Sequence, residues 1–165
     1  MAESEAYLKR QEVLSLSGQA LKELVQASLA KESIVRFRAG GHSMVPFICD
    51  GDVIEITPLR SKPRPGQVVA YIQPERGNLV VHRLVGFQHD RAILQGDAAF
   101  SLPESAALES ILGRVQRVIR QGKPVWAGLG PEGALIGLLS RWGWLGPVVS
   151  LALRSRNIFH RKALQ

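Results

Sequence analysis

The sequence predicts a mainly β fold, in which a compact antiparallel β domain carries an N-terminal helix and a C-terminal apolar helical segment. Between residues 33 and 121, short runs rich in β-branched residues alternate with Gly, Pro and Asp. The segment before these runs has helical periodicity, and the segment after them is almost entirely apolar. We therefore divide the chain into an N-terminal helical segment (1–32), a β domain (33–121) and a C-terminal appendage (122–165).

Residues 5–30 are predicted to be helical, because apolar residues recur at helix-like spacing with Lys and Glu between them. Gly18 weakens the middle of this stretch, so two shorter helices are an alternative. The chain starts with acidic residues, whereas a secretory signal would start with basic residues and continue with an apolar run.

Six strands are expected in the β domain. The runs that predict them are 34–38, 53–57, 67–72, 79–85, 91–95 and 111–119. Three prolines indicate a loop over residues 58–66, and residues 75–78 have the composition of a hairpin turn. Short strands separated by such turns favour antiparallel pairing in a compact domain.

Residues 134–153 are almost entirely apolar, and their number is close to the roughly twenty that cross a bilayer as a helix. Arg141 and the pair Gly146-Pro147 both disfavour a continuous span. Three structures stay open: short helices that pack on the β domain or on another chain, an element that lies in the membrane interface, and a span. The basic residues in 154–162 favour contact of this segment with a membrane surface.

The composition limits the classes of function. Hydrophobic residues make up 45% of the 165 residues, which is enough for a core, and aromatic residues make up only 6%. So few aromatic residues disfavour nucleic acid as a partner, since single strands bind by stacking. The formal net charge of +7 suits nucleic acid, an anionic membrane surface or an acidic partner. The single cysteine, Cys49, excludes an intrachain disulfide. We expect no metal and no cofactor.

The candidate chemistry lies in two stretches about forty residues apart, Gly41-His42-Ser43-Met44 and Val81-His82-Arg83. A serine hydroxyl is a weak nucleophile unless a base takes its proton, and histidine titrates in the range that this requires. The glycines before Ser43 allow a tight turn that leaves backbone N–H groups free to bind an oxyanion. Considered alone, Ser43 is typical of a surface turn and His82 of a partly buried strand. His42 is a competing base.

Three further segments follow in order: Cys49-Asp50-Gly51-Asp52-Val53, Pro65-Gly66-Gln67-Val68-Val69 and Gln95-Gly96-Asp97. With the serine and histidine stretches, this series resembles the catalytic domain of type I signal peptidases and of the self-cleaving repressor peptidases of the SOS response, the S24/S26 type of serine peptidase. The resemblance covers roughly half of the chain, between about residues 40 and 117. The pair His82-Arg83 resembles the histidine-base branch (eukaryotic, archaeal and sporulation-type enzymes) and not the lysine-base branch.

The resemblance implies a serine endopeptidase that cleaves signal- or leader-like peptides. Ser43 would be the nucleophile and His82 the general base, and Asp97 would orient the imidazole and stabilise its charge. The Ser43 backbone N–H would bind the oxyanion, and Gly41 and Met44 would contact the substrate. The substrate would be a peptide or a precursor protein, in extended form against a strand edge and with small residues beside the scissile bond.

Three departures from the family pattern bear on these expectations. Gly41 stands where signal peptidases usually carry a hydroxyl residue that donates to the oxyanion. The histidine branch often has a further Asp after the late Gly-Asp, and Glu104 is at best a substitute for it. A polar helix replaces the N-terminal membrane anchor, so we expect a cytoplasmic or peripherally membrane-associated protein and not a single-span one. Asp52 is expected to be structural.

Two other functions stay open. The chain could be a non-catalytic descendant that binds peptides or a membrane surface, or a regulatory peptidase that cleaves only itself. The self-cleaving relatives carry a DNA-binding helix-turn-helix, for which the helical stretch before Ser33 is too short. The presence of all three of Ser43, His82 and Asp97 favours an enzyme.

Overall fold

The structure of the chain is a computed structural model that describes residues 18–98, 101–126 and 128–141. Within these residues, eight strands form one antiparallel sheet, accompanied by two α-helices and one short 3-10 helix. The mainly β class that the sequence predicts is therefore confirmed.

Six of the eight strands agree with the prediction, and two do not. The strands are β1 (Val35–Arg38), β2 (Val53–Pro58), β3 (Val68–Ile72), β4 (Leu79–Gln88), β5 (Arg91–Gln95), β6 (Glu104–Ala107), β7 (Ile111–Arg120) and β8 (Lys123–Val125). Helix α1 spans Gly18–Ala30, helix α2 spans Glu132–Arg141, and the 3-10 helix spans Leu108–Ser110. The sequence does not predict β6 and β8, because such short segments contain too few apolar residues to show an alternating pattern.

The strand order is β1-β2-β7-β3-β4-β5-β6, and β8 pairs with the end of β7. Strand β7 joins the two halves of the sheet, since it pairs with both β2 and β3. Several strand edges are unpaired among the described residues, including the outer edges of β1, β6 and β8. Strand β4 is also unpaired on one edge before Arg83, where pairing with β5 begins. The edges of β1 and β4 border the site described below.

Two hydrophobic clusters lie on opposite faces of the sheet, as the alternation along β3 shows. Val68 and Ala70 belong to the first cluster, whereas Val69 and Tyr71 belong to the second. The first cluster also contains Met44, from the loop between β1 and β2. That loop is therefore anchored in the core and does not lie free on the surface.

Helix α1 packs on the sheet through Val25 and Leu29, which are almost fully buried, while Leu24 on its other side is half exposed. The prediction of a helix over residues 5–30 is confirmed for residues 18–30. Residues 5–17 lie outside the described part of the chain.

Strand β8 and helix α2 lie in the region that the sequence assigns to the C-terminal appendage. Strand β8 extends the sheet by pairing with β7, and α2 packs against the loop before β3. A side chain at Gly66 would overlap the backbone of Ala134, so only glycine permits this close approach. Residues 134–141 thus form part of a short helix on the β domain, and residues 142–153 lie outside the described part. In the described ranges, no helix has both the length and the apolar character needed to cross a bilayer.

Candidate active site

Ser43 lies at an exposed position in the loop between β1 and β2. Gly41 has a φ of 89°, which a residue with a side chain rarely adopts, and its N–H donates to Asp50 Oδ1 over 2.9 Å. The Ser43 carbonyl oxygen accepts a hydrogen bond from the Ala98 N–H over 2.9 Å. With Met44 buried in the core, these contacts fix the Ser43 backbone relative to the sheet.

The turn after β5 lies directly against this loop. A side chain at Gly96 would overlap the Ser43 carbonyl oxygen, so glycine is required here by close approach of two backbones. Gln95, the last residue of β5, pairs with Arg83 of β4, which directly follows His82. The late Gly-Asp segment therefore lies between the candidate nucleophile and the strand that carries the candidate base.

A groove of about 260 Å³, lined mostly by residues with apolar side chains, lies beside Ser43. One wall runs from Phe37 at the end of β1 to Met44, and the other is formed by residues 79–81 of β4. Successive side chains of a strand point to opposite faces, so three consecutive lining residues indicate a groove along the edge of β4. This is the stretch of β4 that has no partner on that edge among the described residues. Its backbone N–H and C=O groups are available to an extended peptide.

His82 is buried in β4, opposite Val69 of β3. Tyr71 is its diagonal neighbour on β3, and the Tyr71 hydroxyl lies 3.2 Å from His82 Nδ1. Burial lowers the pKa of His82, and the charges of Glu104 and Asp97 oppose this shift without overcoming it. The imidazole is therefore uncharged at neutral pH, which is the form that a general base requires.

Asp97 is hydrogen-bonded to Arg83. Both side chains are fully buried, and Arg83 donates from Nε to Asp97 Oδ1 over 2.7 Å and from Nη2 to Oδ2 over 2.6 Å. Burial raises the pKa of Asp97, and the hydrogen bonds from Arg83 oppose this rise. No hydrogen bond in the described part of the chain joins Asp97 to His82. The Asp97 charge still acts on the imidazole, but both of its oxygens are bound to the arginine.

The Nδ1 side of His82 leads to a different carboxylate. Tyr71 donates a hydrogen bond of 2.6 Å to Glu104 Oε2, and Gln73 Nε2 lies 3.0 Å from each Glu104 oxygen. Tyr71 and Gln73 are two residues apart along the β3 direction, so their side chains lie on the same face. The sequence predicts Glu104 only as a substitute for an aspartate, and it does not predict a role for Tyr71 or Gln73. The signal that could have identified Tyr71 and Gln73 is their spacing of two residues, which places both side chains on one face next to the strand that carries His82.

Ser43 lines the groove, whereas His82 is not among its lining residues, and no hydrogen bond joins the two in the described part of the chain. Ser43 lines one wall, and Val81, which directly precedes His82, lines the other. Hydrogen bonds between a nucleophile and its base are often long or unformed before substrate binds, so this arrangement is compatible with catalysis. His42, the competing base, is exposed.

Asp52 has the structural contacts that the sequence leads us to expect. The buried carboxylate accepts hydrogen bonds from Arg120 Nε (2.9 Å) and Nη2 (2.8 Å) and from the Cys49 N–H (2.8 Å). Burial raises the pKa of Asp52, but the hydrogen bonds outweigh this effect and bring the pKa below its usual value. These contacts join the loop that carries Ser43 to the end of β7.

The fold and the site together define an antiparallel β domain with a serine beside a groove of mainly apolar side chains. A buried, neutral histidine lies on β4, the strand that forms one wall of this groove. The chain matches no protein-family model, and no curated protein matches it in sequence. Among the described residues, no cluster of His, Cys, Asp and Glu has the arrangement of a metal site.

Proposed function

We propose that the protein is a serine endopeptidase that cleaves signal- or leader-like peptides, with Ser43 as nucleophile and His82 as general base. One observation carries this proposal. Ser43 lines an apolar groove that runs along an unpaired edge of β4, and β4 is the strand that carries His82. A peptide bound in that groove would have its backbone beside Ser43 and along the strand that carries His82.

The groove suits an extended peptide with small apolar side chains. Its walls carry the unpaired edges of β1 and β4, which supply backbone hydrogen-bond partners. Its volume of about 260 Å³ is below the usual range for pockets that bind drug-sized ligands, and Met44 and Ile48 contribute apolar side chains to its lining. Gly41, which has no side chain, leaves room beside the serine, so Gly41 and Met44 are the substrate-contacting residues.

The chemical steps follow from the residue types. His82 takes the Ser43 hydroxyl proton while Oγ attacks the peptide carbonyl carbon, and the Ser43 N–H binds the oxyanion that forms. As the C–N bond breaks, His82 gives the proton to the leaving amine and an acyl-enzyme remains. Water, deprotonated by His82, then attacks the ester carbonyl, and as the bond to Ser43 Oγ breaks, His82 returns the proton to Oγ and the carboxylic acid product leaves.

Two contacts support assignment to the S24/S26 type of serine peptidase and to its histidine branch. The turn at Gly96 packs on the Ser43 loop, and the Gly66 carbonyl accepts a hydrogen bond from Arg83 over 2.7 Å. The segments that carry the resemblance are thus neighbours in space, as one catalytic domain requires.

Mass spectrometry of a precursor-peptide library incubated with the protein tests the peptidase proposal. We expect Ser43→Ala and His82→Ala to lower cleavage by at least about 10³-fold, because each removes a group that forms or breaks a bond. The matched controls are Ser61→Ala and His89→Asn, at exposed positions outside the groove, which should cleave like the wild type.

Wild-type cleavage by Ser43→Ala would exclude the proposal. The intact mass of the protein, followed over the same incubation, tests the self-cleaving alternative. If only the chain itself were cut, and only with Ser43 present, the protein would be a self-cleaving regulatory peptidase. If no peptide and no chain were cut, it would be a non-catalytic binding protein.

We also propose that the C-terminal region contacts an anionic membrane surface, as a peripheral attachment. Trp126 is 73% exposed, Leu135 59% and Leu138 46%, and the two leucines share one face of α2. The sequence beyond α2 continues as an apolar stretch, which is followed by basic residues within 154–162, a composition that favours anionic lipid.

Co-sedimentation with vesicles of anionic or neutral lipid tests this attachment. We expect binding to anionic vesicles that weakens several-fold in the double variant Leu135→Gln/Leu138→Gln. Leu102→Gln is the control, because Leu102 is 80% exposed but does not lie on α2. Equal binding of the double variant and the wild type would refute a role for this face.

A further inference from the structure

The directions of the hydrogen bonds around His82 can be worked out from the number of protons available. The Tyr71 hydroxyl has one proton, and its 2.6 Å contact with Glu104 Oε2 requires the phenol to donate to the carboxylate. The phenol oxygen must then accept in its 3.2 Å contact with His82 Nδ1. Nδ1 therefore carries the imidazole proton, and Nε2 is the nitrogen with a free lone pair.

Glu104 is held in place as an acceptor. Gln73 Nε2, which can only donate, lies 3.0 Å from both Glu104 oxygens. Burial and the neighbouring Glu104 raise the pKa of Tyr71, so the phenol keeps its proton at any physiological pH. The chain of hydrogen bonds therefore has one direction, from His82 through Tyr71 to Glu104.

Asp97, the carboxylate that the sequence predicts to orient His82, is hydrogen-bonded to Arg83 instead. Both Asp97 oxygens accept from Arg83, and both side chains of that pair are fully buried. In the described part of the chain, the carboxylate connected to His82 by hydrogen bonds is thus that of Glu104 and not that of Asp97.

We propose that Glu104 is a positioning residue that acts through the Tyr71 hydroxyl, fixing His82 as its Nδ1–H tautomer and leaving Nε2 as the base nitrogen. This moves the orienting role from Asp97, on the turn after β5, to a pair of residues on β3 and β6. The consequence for catalysis rests on the proposed peptidase function, whereas the tautomer itself does not.

Histidine ring ¹⁵N chemical shifts in the full chain test the tautomer directly. With the His82 signals identified by their loss in His82→Gln, we expect the wild type to show a protonated Nδ1 and an unprotonated Nε2. Tyr71→Phe keeps the ring in the core but removes the hydroxyl, so a substantial Nε2–H population should appear. A wild-type Nε2–H tautomer, or ring shifts unchanged in Tyr71→Phe, would overturn the proposal.

A second measurement tests the part played by Glu104. The charges that act on His82 come from Glu104 on β6 and, more weakly, from Asp97 after β5. Glu104→Gln removes the larger one, so the His82 pKa measured by NMR titration should fall further below its ordinary value. Glu109→Gln, at an exposed position in the nearby 3-10 helix, should leave it unchanged. Equal His82 titration in Glu104→Gln and wild type would also overturn the proposal.

Kinetics separate this inference from the peptidase proposal. If Ser43 is required for cleavage, Tyr71→Phe and Glu104→Gln should lower kcat by roughly tenfold to a hundredfold with KM unchanged, since they disturb general-base catalysis and not substrate binding. Unchanged kcat would refute the positioning role. If the tautomer is as expected but Ser43→Ala cleaves like the wild type, the hydrogen-bond chain stands and the peptidase proposal fails.

Discussion

Two Gly-Asp turns in this chain look alike in sequence and differ in burial. Asp52 accepts two hydrogen bonds from Arg120, and Asp97 accepts two from Arg83, all between 2.6 and 2.9 Å. The Arg120 side chain is 37% exposed, whereas the Arg83 side chain is 0% exposed. The same short motif therefore supplies a partly hydrated ion pair in one place and a fully enclosed one in the other.

The difference in burial reverses the direction of the pKa shift. Burial raises the pKa of Asp97 despite Arg83. Burial is also the largest single influence on the pKa of Asp52, but the hydrogen bonds from Arg120 and the Cys49 N–H, with the Arg120 charge, together outweigh it and lower that pKa. A Gly-Asp match in this sequence therefore identifies a turn whose aspartate pairs with an arginine. Whether the carboxylate also serves a catalytic base depends on which donor binds it.

The largest effect is expected from removing the enclosed pair. Asp97→Asn leaves the Arg83 charge buried without its partner, which should lower the free energy of unfolding by about 3–5 kcal/mol. Asp52→Asn is the matched comparison and should cost about 1–2 kcal/mol, because water still reaches Arg120. Urea unfolding followed by circular dichroism measures both changes.

One result would show that Asp97 takes part in catalysis. If Asp97→Asn unfolded like the wild type but failed to cleave peptides, Asp97 would act on the reaction directly and not mainly through the stability of the fold.

A smaller effect is expected at the glycines of the two turns. A Cβ at Gly96 would meet the Ser43 carbonyl oxygen, so Gly96→Ala should displace the Ser43 loop, costing about 1–3 kcal/mol. Cleavage should fall up to roughly a hundredfold, the usual result of a 1 Å misplacement. Gly51 has a φ of 81° but open space around a Cβ, so Gly51→Ala should cost about 1 kcal/mol.

Peptide cleavage assays at a temperature where both variants are folded measure this difference. Gly51→Ala should then cleave within a few-fold of the wild type. Loss of cleavage in Gly51→Ala but not in Gly96→Ala would contradict the packing of the late turn against the Ser43 loop.

The smallest effect is a pH dependence. The pKa of Asp52 is below its ordinary value of 3.8, so its contribution to stability is present above that value and is lost as the pH falls through the lower pKa of the folded state. The difference in unfolding free energy between wild type and Asp52→Asn should stay constant from neutral pH to about pH 5 and shrink towards pH 3. A constant difference at every pH would show that the ionised form is not favoured by folding.

The local pattern was enough to predict most of the sheet. Alternating β-branched runs separated by Gly and Pro predicted six strands, because a strand that is buried on one or both faces must carry those residues. The segments at β6 and β8 carry no such pattern, and their pairing depends on the long neighbours β5 and β7. Those two strands therefore could not be predicted from their own residues.

The sequence by itself determined which residues are available for chemistry, Ser43 with its glycines and His82 on an apolar strand, because residue type and local spacing are fixed by the chain. Only the tertiary structure decided that Arg83 binds Asp97 and that Tyr71 connects His82 to Glu104. Hydrogen bonds between distant residues depend on strand order and register, and both are set by the pairing of strands that lie far apart in the sequence. Burial then decides which of these groups is charged.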